Sequence, residues 1–243
     1  MARVIAAVLL LSASLGARAD FIGLYAGVGS WRSDFSGDVI DGVSLASDLA
    51  VAGDASNHFY VAFEHPIPLL PNVRLERTGI KDSGTGSISR SFDFAGQTFT
   101  ASQTVATNID LTHTDVTLYY EVVDIGMDLD IGLTARILQG EVTVDNARED
   151  VSGGLPMLYA RAKFGLPFTG TYLGGNINTI SYSGNQLTDY ALKIGWETEN
   201  FILPEFGIEG GYRRWALDVD ADDVDVNVDM DIDGFFINLT AHF

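Results

Sequence analysis

Residues 127–137 alternate without a break: Met127, Leu129, Ile131, Leu133, Ala135 and Ile137 fall on one side of an extended chain, and Asp128, Asp130, Gly132, Thr134 and Arg136 on the other. Successive side chains of a strand point to opposite faces, so such a segment has one face for an apolar medium and one for water. The pattern recurs. Leu158, Ala160, Ala162, Phe164 and Leu166 oppose Tyr159, Arg161, Lys163 and Gly165, and Tyr190, Leu192, Ile194 and Trp196 oppose Asp189, Lys193 and Glu197. The three-and-four spacing of an amphipathic helix is nowhere sustained, and the chain is expected to be all-β.

Period-two windows place strands at 20–31, 57–65, 72–81, 112–122, 127–138, 156–166, 170–181, 187–198, 203–217 and 232–243. That is about ten strands, with eight or twelve as the alternatives if a strand pair is merged or missed near Ser183-Gly184-Asn185. The connections sort into two kinds. Short turns at 66–71, 123–126, 167–170 and 199–203 alternate with longer loops at 32–56, 82–111, 139–155 and 218–231. Within the loops, the apolar residues of 35–52 suggest a short amphipathic helix at a barrel mouth, and 87–100 suggests a hairpin.

Three features make lipid, rather than a sandwich core, the medium on the apolar faces. Several windows reach ten to twelve residues, the reach of a tilted spanning strand and about twice an average soluble one. Aromatics gather near strand ends (Tyr25, Phe59, Phe63, Tyr119, Tyr120, Tyr172, Trp196, Phe201, Phe206, Tyr212, Trp215 and Phe235), as interfacial girdles require. The last ten residues, Gly234 to Phe243, put Phe235, Ile237, Leu239, Ala241 and Phe243 on one face. The start of the chain agrees with export: residues 1–19 have a basic start at Arg3, an apolar run from Val4 to Leu11 and small residues ending at Ala19, the build of a signal peptide. The mature chain is then one domain, 20–243, a closed antiparallel up-and-down transmembrane β-barrel held without cysteine. A formal charge of −19 argues against nucleic acid as a partner.

Glu64-His65-Pro66, Leu69-Leu70-Pro71-Asn72, Leu118-Tyr119-Tyr120-Glu121 and Gly207-Ile208-Glu209-Gly210-Gly211-Tyr212-Arg213 resemble a small family of proteobacterial outer-membrane β-barrel proteins labelled for a Gly-Gly motif. Further glycine pairs stand at Gly153-Gly154 and Gly174-Gly175. That family has no established activity. The resemblance implies the cell outer membrane as location and the barrel as fold, and an aromatic-ended terminal strand resembles the segment that barrel-assembly machinery recognises.

With apolar faces to lipid, the opposite faces line the lumen. They hold Glu64, Glu76, Asp115, Glu121, Asp128, Asp130, Asp189, Glu197, Glu205 and Glu209 against Arg74, Arg136, Arg161, Lys163, Lys193 and Arg213. Inside, these can pair, whereas each would cost about 2–4 kcal/mol facing lipid at mid-depth. About ten strands enclose a bore that such side chains nearly fill. The expectation is a monomer of structural or surface-interaction type, in contact with outer-membrane lipid and lipopolysaccharide. A narrow cation-leaky, porin-like path and a barrel enzyme acting on lipid or peptide are the alternatives. For the enzyme, the best base is His113 in Thr112-His113-Thr114-Asp115 near a strand start; no nucleophile elbow accompanies it. For metal, the acidic run 218–233 offers Asp222, Asp223, Asp225, Asp229, Asp231 and Asp233 to Ca²⁺ or Mg²⁺, since clustered carboxylates suit hard cations. The plainer reading of the same run is a solvated hairpin.

Overall fold

The computed structural model describes residues 22–40, 42–198, 204–219 and 227–243. The expected leader, Phe201, Asp222, Asp223 and Asp225 lie outside them. In order the strands are β1 (Gly23–Val39), β2 (Val43–Ser44), β3 (Ala55–Glu64), β4 (Asn72–Thr78), β5 (Lys81–Ser87), β6 (Phe92–Phe94), β7 (Gln97–Phe99), β8 (Thr104–Asp110), β9 (His113–Asp124), β10 (Asp128–Val144), β11 (Ala147–Gly165), β12 (Thr171–Tyr182), β13 (Asn185–Glu197), β14 (Glu205–Val219) and β15 (Val228–His242).

Ten of these, β1, β3, β4 and β9 to β15, close an antiparallel barrel in chain order. The seam joins the first strand to the last over fifteen rungs, from Tyr25↔His242 to Val39↔Val228, so no edge is left in the wall at that point. At one end, the turn end, 65–71, 125–127 and 166–170 are short connections. At the other, the cap end, the strands outrun the length a bilayer requires: β10 has 17 residues and β11 has 19, where about 9–11 suffice. There β10 continues past the start of β9 and pairs with β8, which pairs with β5, and β6 and β7 form a small separate hairpin.

Around the middle and turn end the outer face is an exposed apolar belt, with Val28, Phe59, Leu133, Leu158, Leu192 and Leu239 all more than half exposed. Toward the cap end the alternation reverses phase, most legibly in β15. Beyond Gly234, Phe235, Ile237 and Leu239 point outward and Asn238 inward; before it, Met230 and Ile232 are buried inward and Asp229, Asp231 and Asp233 point out. The same reversal puts Trp31 and Phe35 of β1 and Trp215 of β14 inside. The wall thus passes from lipid-type to water-type patterning along continuous strands, and the interior above the crossing is a packed apolar core.

Several expectations need correction. The loop expected at 139–155 is almost all strand, β10 and β11 running to a turn at 145–146, and of 218–231 the described residues 218–219 and 228–231 belong to β14 and β15. In its described part the acidic run follows the plainer reading, a hairpin: β14 and β15 pair up to Val219↔Val228, with Val228, Met230 and Ile232 facing inward. Among the described residues no helix forms at 35–52; β1 occupies the stretch to Val39, and turns around the short β2 follow. Their burial is nonetheless that of a mouth plug, with Val43, Leu45, Leu49 and Val51 all at or below 3% exposure. The hairpin expected at 87–100 is present as β6–β7. Tyr119, Tyr172 and Trp215, expected in the girdles, turn inward and are buried. Ser183-Gly184 closes β12–β13 tightly because both residues take positive φ (52° and 88°), the combination a twisted two-residue hairpin favours.

Candidate functional site

Among the described residues, the lumen brings the largest set of charged groups together. All six lumen cations find carboxylates. Arg136, on β10, makes a two-pronged bond to Asp115 of β9 (Nε–Oδ1 2.9 Å, Nη2–Oδ2 2.7 Å) and reaches Asp189 of β13 at 2.7 Å. Asp189 also takes a two-pronged bond from Arg213 of β14 (2.8 and 2.7 Å). Arg213 extends to Thr78 on β4 at 3.3 Å and to Glu76 at 3.8 Å. A connected chain Asp115–Arg136–Asp189–Arg213–Glu76 therefore crosses the bore, joining strands that are not neighbours in the wall. Arg136 is fully buried. Isolated buried charges would cost several kcal/mol each, and mutual bidentate pairing is the arrangement that offsets this.

Below this chain, toward the turn end, Arg74 pairs with Glu76 (2.8 Å), Arg161 with Asp130 (2.8 Å), Lys163 with Glu197 (2.7 Å) and Lys193 with Glu209 (2.8 Å). Glu209 is further held by Tyr172 and Asn238, and Tyr119 donates to Glu64. The Arg74 guanidinium lies 3.6 Å from the centre of the Tyr60 ring. Glycine makes room for these large groups: a Cβ on Gly27 would stand 2.3 Å from Tyr60 Cε1, and one on Gly195 2.2 Å from Tyr172 Cζ. Two small cavities lie among these groups. One cavity of about 30 Å³ is bounded by Trp31, His58, Tyr60, Lys193, Arg213 and Asn238. A second of about 40 Å³, closer to the turn end, shares Tyr60, Lys193 and Glu209 with it.

Above the chain lies the apolar core, formed inside the barrel by Trp31, Phe35, Met157, Leu187, Trp215 and Ile232 and roofed by Leu45, Leu49, Val51, Ile80, Phe92 and Val105 from the cap segments. The roof is pinned by Asp48, whose carboxylate accepts the N–H groups of Ser44 (2.9 Å) and Ser89 (3.0 Å). Burial pushes this carboxyl up, but the two N–H groups and nearby Arg90 outweigh it and hold its pKa below the ordinary aspartate value. Asp82 accepts the Gly53 N–H at 2.7 Å and ties the roof to β5. Asp110 is also held below its ordinary value: burial raises it, and Lys81 and Thr112 more than reverse that.

The individual candidates fall as follows. His113 is 1% exposed beneath the apolar core, with Nδ1 3.0 Å from the Leu111 carbonyl; it does not reach the rim, and Asp115, its sequence neighbour, is committed to Arg136. Asp229, Asp231 and Asp233 alternate along the outer face of β15. Asp231 pairs with Arg214 (2.8 Å) and Asp233 accepts from Tyr212, while Asp229 lies in register between Asp38 and Asp218. Carboxylates converge at the opposite end instead, where Glu121, Asp124 and Asp128 bring one oxygen each within 4.8 Å of the others. Sequence reading put Leu45, Leu49 and Val51 at the mouth but missed the apolar core beneath them. The available signal was the reversed alternation Val228, Met230, Ile232 and its counterpart at Trp31 and Phe35.

No protein-family model and no characterised protein matches this sequence. Among solved structures, the chain is similar to the outer membrane protease OmpT from Escherichia coli, at 10% identity and a TM-score of 0.48, over 95% of this chain and 99% of that one. It is also similar to a Pseudomonas aeruginosa FadL homologue, at 11% identity and a TM-score of 0.37, over 92% of this chain and 90% of the other. A third is the Pseudomonas putida toluene transporter TodX, at 7% identity and a TM-score of 0.32, over 92% and 90% of the two chains.

Proposed function

We propose that this protein is a non-conducting outer-membrane β-barrel that acts through the face it presents outside the cell. The carrying observation is the two-layer closure of the bore: the ion-pair chain from Asp115 to Glu76 crosses it, and the apolar core from Trp31 to Ile232 fills it above. An ion entering from the turn end would have to break bidentate pairs and then pass a dry core. Both steps oppose conduction, since each leaves buried charge uncompensated.

The orientation follows from the connections, with short turns on the periplasmic side and the elaborated cap outside. The apolar belt supplies the surface that lipid covers. Above it, the outward carboxylates of Asp34, Asp38, Asp218 and Asp229 lie at the level of lipid headgroups and favour Ca²⁺ or Mg²⁺ shared with lipopolysaccharide phosphates. Planar-bilayer recording tests the reading: the purified barrel is expected to give no stable steps. Large, lasting, cation-selective steps would replace it with the pore.

A further inference from the structure

The wall has a notch. β11 pairs with β12 only from Leu158↔Thr179 to Gly165↔Tyr172. Beyond that rung both strands continue toward the cap end, β11 paired only with β10 and Ile180 to Tyr182 of β12 only with β13. Among the described residues no rung of the ladder joins them there. The result is a cleft: the unpaired edge of β12, Ile180 to Tyr182, stands level with Met157 to Leu155, and beyond it the β11 edge runs on past the β12–β13 turn with no strand beside it. Its floor is apolar: Leu155, Val151 and Ile180 pack against the interior core, and Tyr182 stands 80% exposed at its lip.

Pro156 fixes which backbone groups face the cleft. Proline has no N–H, so within an otherwise continuous ladder to β10 it belongs where the N–H points away from the partner. Neighbouring residues of a strand alternate in direction, so Asp150, Ser152 and Gly154 share Pro156's direction and present free N–H and C=O groups to the cleft, while Val151, Gly153 and Leu155 bond β10. Beside these sits the pair Gly153-Gly154. Neither has a positive φ, and a Cβ built on either meets nothing within 4 Å. No turn, bulge or internal contact of this chain requires glycine at either place. Glycine inside a strand weakens it, and the remaining reason to keep it is the close approach of another backbone.

We propose that the β11 edge from Asp150 to Gly154 binds an extended peptide segment of a surface partner by strand addition, the peptide alternating apolar residues over Leu155 and Ile180 with basic residues outward. Main-chain bonds to an exposed edge give such recognition its affinity, and the alternate side chains its specificity. The basic preference comes from the acids near this edge: Glu141 and Asp150 share Arg148 (2.6 and 3.2 Å), Glu149 stands exposed beside them, and the chain carries a formal charge of −19. A second copy is disfavoured by geometry. Barrel strands tilt by about 35–45°, so the same strand of two barrels side by side in one membrane crosses at about twice that angle, too steep for a ladder. This inference rests on the reading of the cap end as the working face.

The test uses the whole barrel in micelles and a short peptide alternating valine and lysine as probe. Adding it is expected to slow amide exchange at Asp150, Ser152 and Gly154 and to leave Val151, Gly153 and Leu155 unchanged. Gly154→Pro and Ser152→Pro each remove one free N–H without touching the β10 ladder and are expected to weaken binding about tenfold. Unchanged exchange at the three amides overturns the proposal. So does equal binding of a proline-interrupted peptide of the same charge, which would make the attraction electrostatic only. Protection that appears on concentrating the protein without peptide overturns it in favour of self-association. Bilayers that stay silent while the peptide fails remove this inference alone, whereas large conductance removes the reading beneath it.

Discussion

Arg136 of β10 and Asp189 of β13 meet across the bore at 2.7 Å, two residues whose strands are separated in the wall by β11 and β12. Asp189 has a second cation in Arg213, but Asp115 on the other side of Arg136 has none among the described residues. Replacing Arg136 with Met is therefore expected to destabilise the barrel by about 3–5 kcal/mol, the cost of stranding a buried charge. Adding Asp115→Leu should recover most of the loss, because an apolar pair can replace a buried ion pair at little cost. Urea unfolding in micelles, followed by tryptophan fluorescence, reads both.

Trp31 is fully buried where the charged layer meets the apolar one, with its indole N–H donated to the Gly234 carbonyl at 3.3 Å and Arg213 5.0 Å from its ring. Trp31→Ala is expected to cost about 3–5 kcal/mol. It also thins the core at the level of the ion-pair chain, so brief small conductance events should appear in bilayers where the wild type is silent.

Gly27 is open only because Tyr60 occupies its place, 2.3 Å from where a Cβ would stand. Gly27→Ala should cost about 1–3 kcal/mol as an overpacking change. If that is the mechanism, the cost shrinks in a Tyr60→Ala background, and the two substitutions are non-additive in a double-mutant cycle.

The Asp48 pin gives the roof an acid limit. Its folded pKa lies below the ordinary value, so its contribution is present above the unfolded pKa of about 3.9 and is lost as pH falls through the folded value. Protection of the Ser44 and Ser89 amides, relative to their intrinsic exchange rates, is expected to fall as pH drops through the folded value, and Asp48→Asn should show lower protection already at neutral pH with no such acid step.

At the seam, Phe243 donates its N–H to the Leu24 carbonyl at 2.9 Å and accepts from the Leu24 N–H at 3.1 Å. An unpaired backbone group in lipid costs several kcal/mol. Deleting Phe243, or replacing it with Asp, is expected to lower outer-membrane yield and raise periplasmic proteolysis, while deleting 222–225 leaves insertion intact. Quantitative fractionation checks this; equal membrane yields would refute it.

Ten spanning segments could be read from the sequence because Leu129, Ile131 and Leu133, like Leu158 to Phe164, advertise their face by strict alternation against charges, and the pairing of those charges inside followed from the same pattern. The cap end could not be read that way. At 228–232 the alternation is as strict, and eight aspartates between 218 and 233 marked the stretch as a solvated hairpin, but nothing in the segment itself said that its apolar half faces an inner core. Tyr119 and Tyr172 were misplaced for a related reason: an amphipathic ring suits a membrane interface or a polar lumen equally, and only the partners Glu64 and Glu209 distinguish them. The notch between β11 and β12 depends on where two neighbouring strands part company, which is a matter of register and twist that no single segment encodes.

The reversal of phase at Gly234 means that one continuous sheet is held together by two different thermodynamic forces. The cap-end half buries apolar surface out of water, which carries a large heat-capacity change and weakens on cooling. The belt half exchanges lipid for protein on its outer side and gains nothing from that effect; its cohesion comes from backbone pairing that has no alternative in hydrocarbon. The heat capacity of unfolding is therefore expected to come mainly from the cap-end half, whose packing is the more sensitive of the two to temperature.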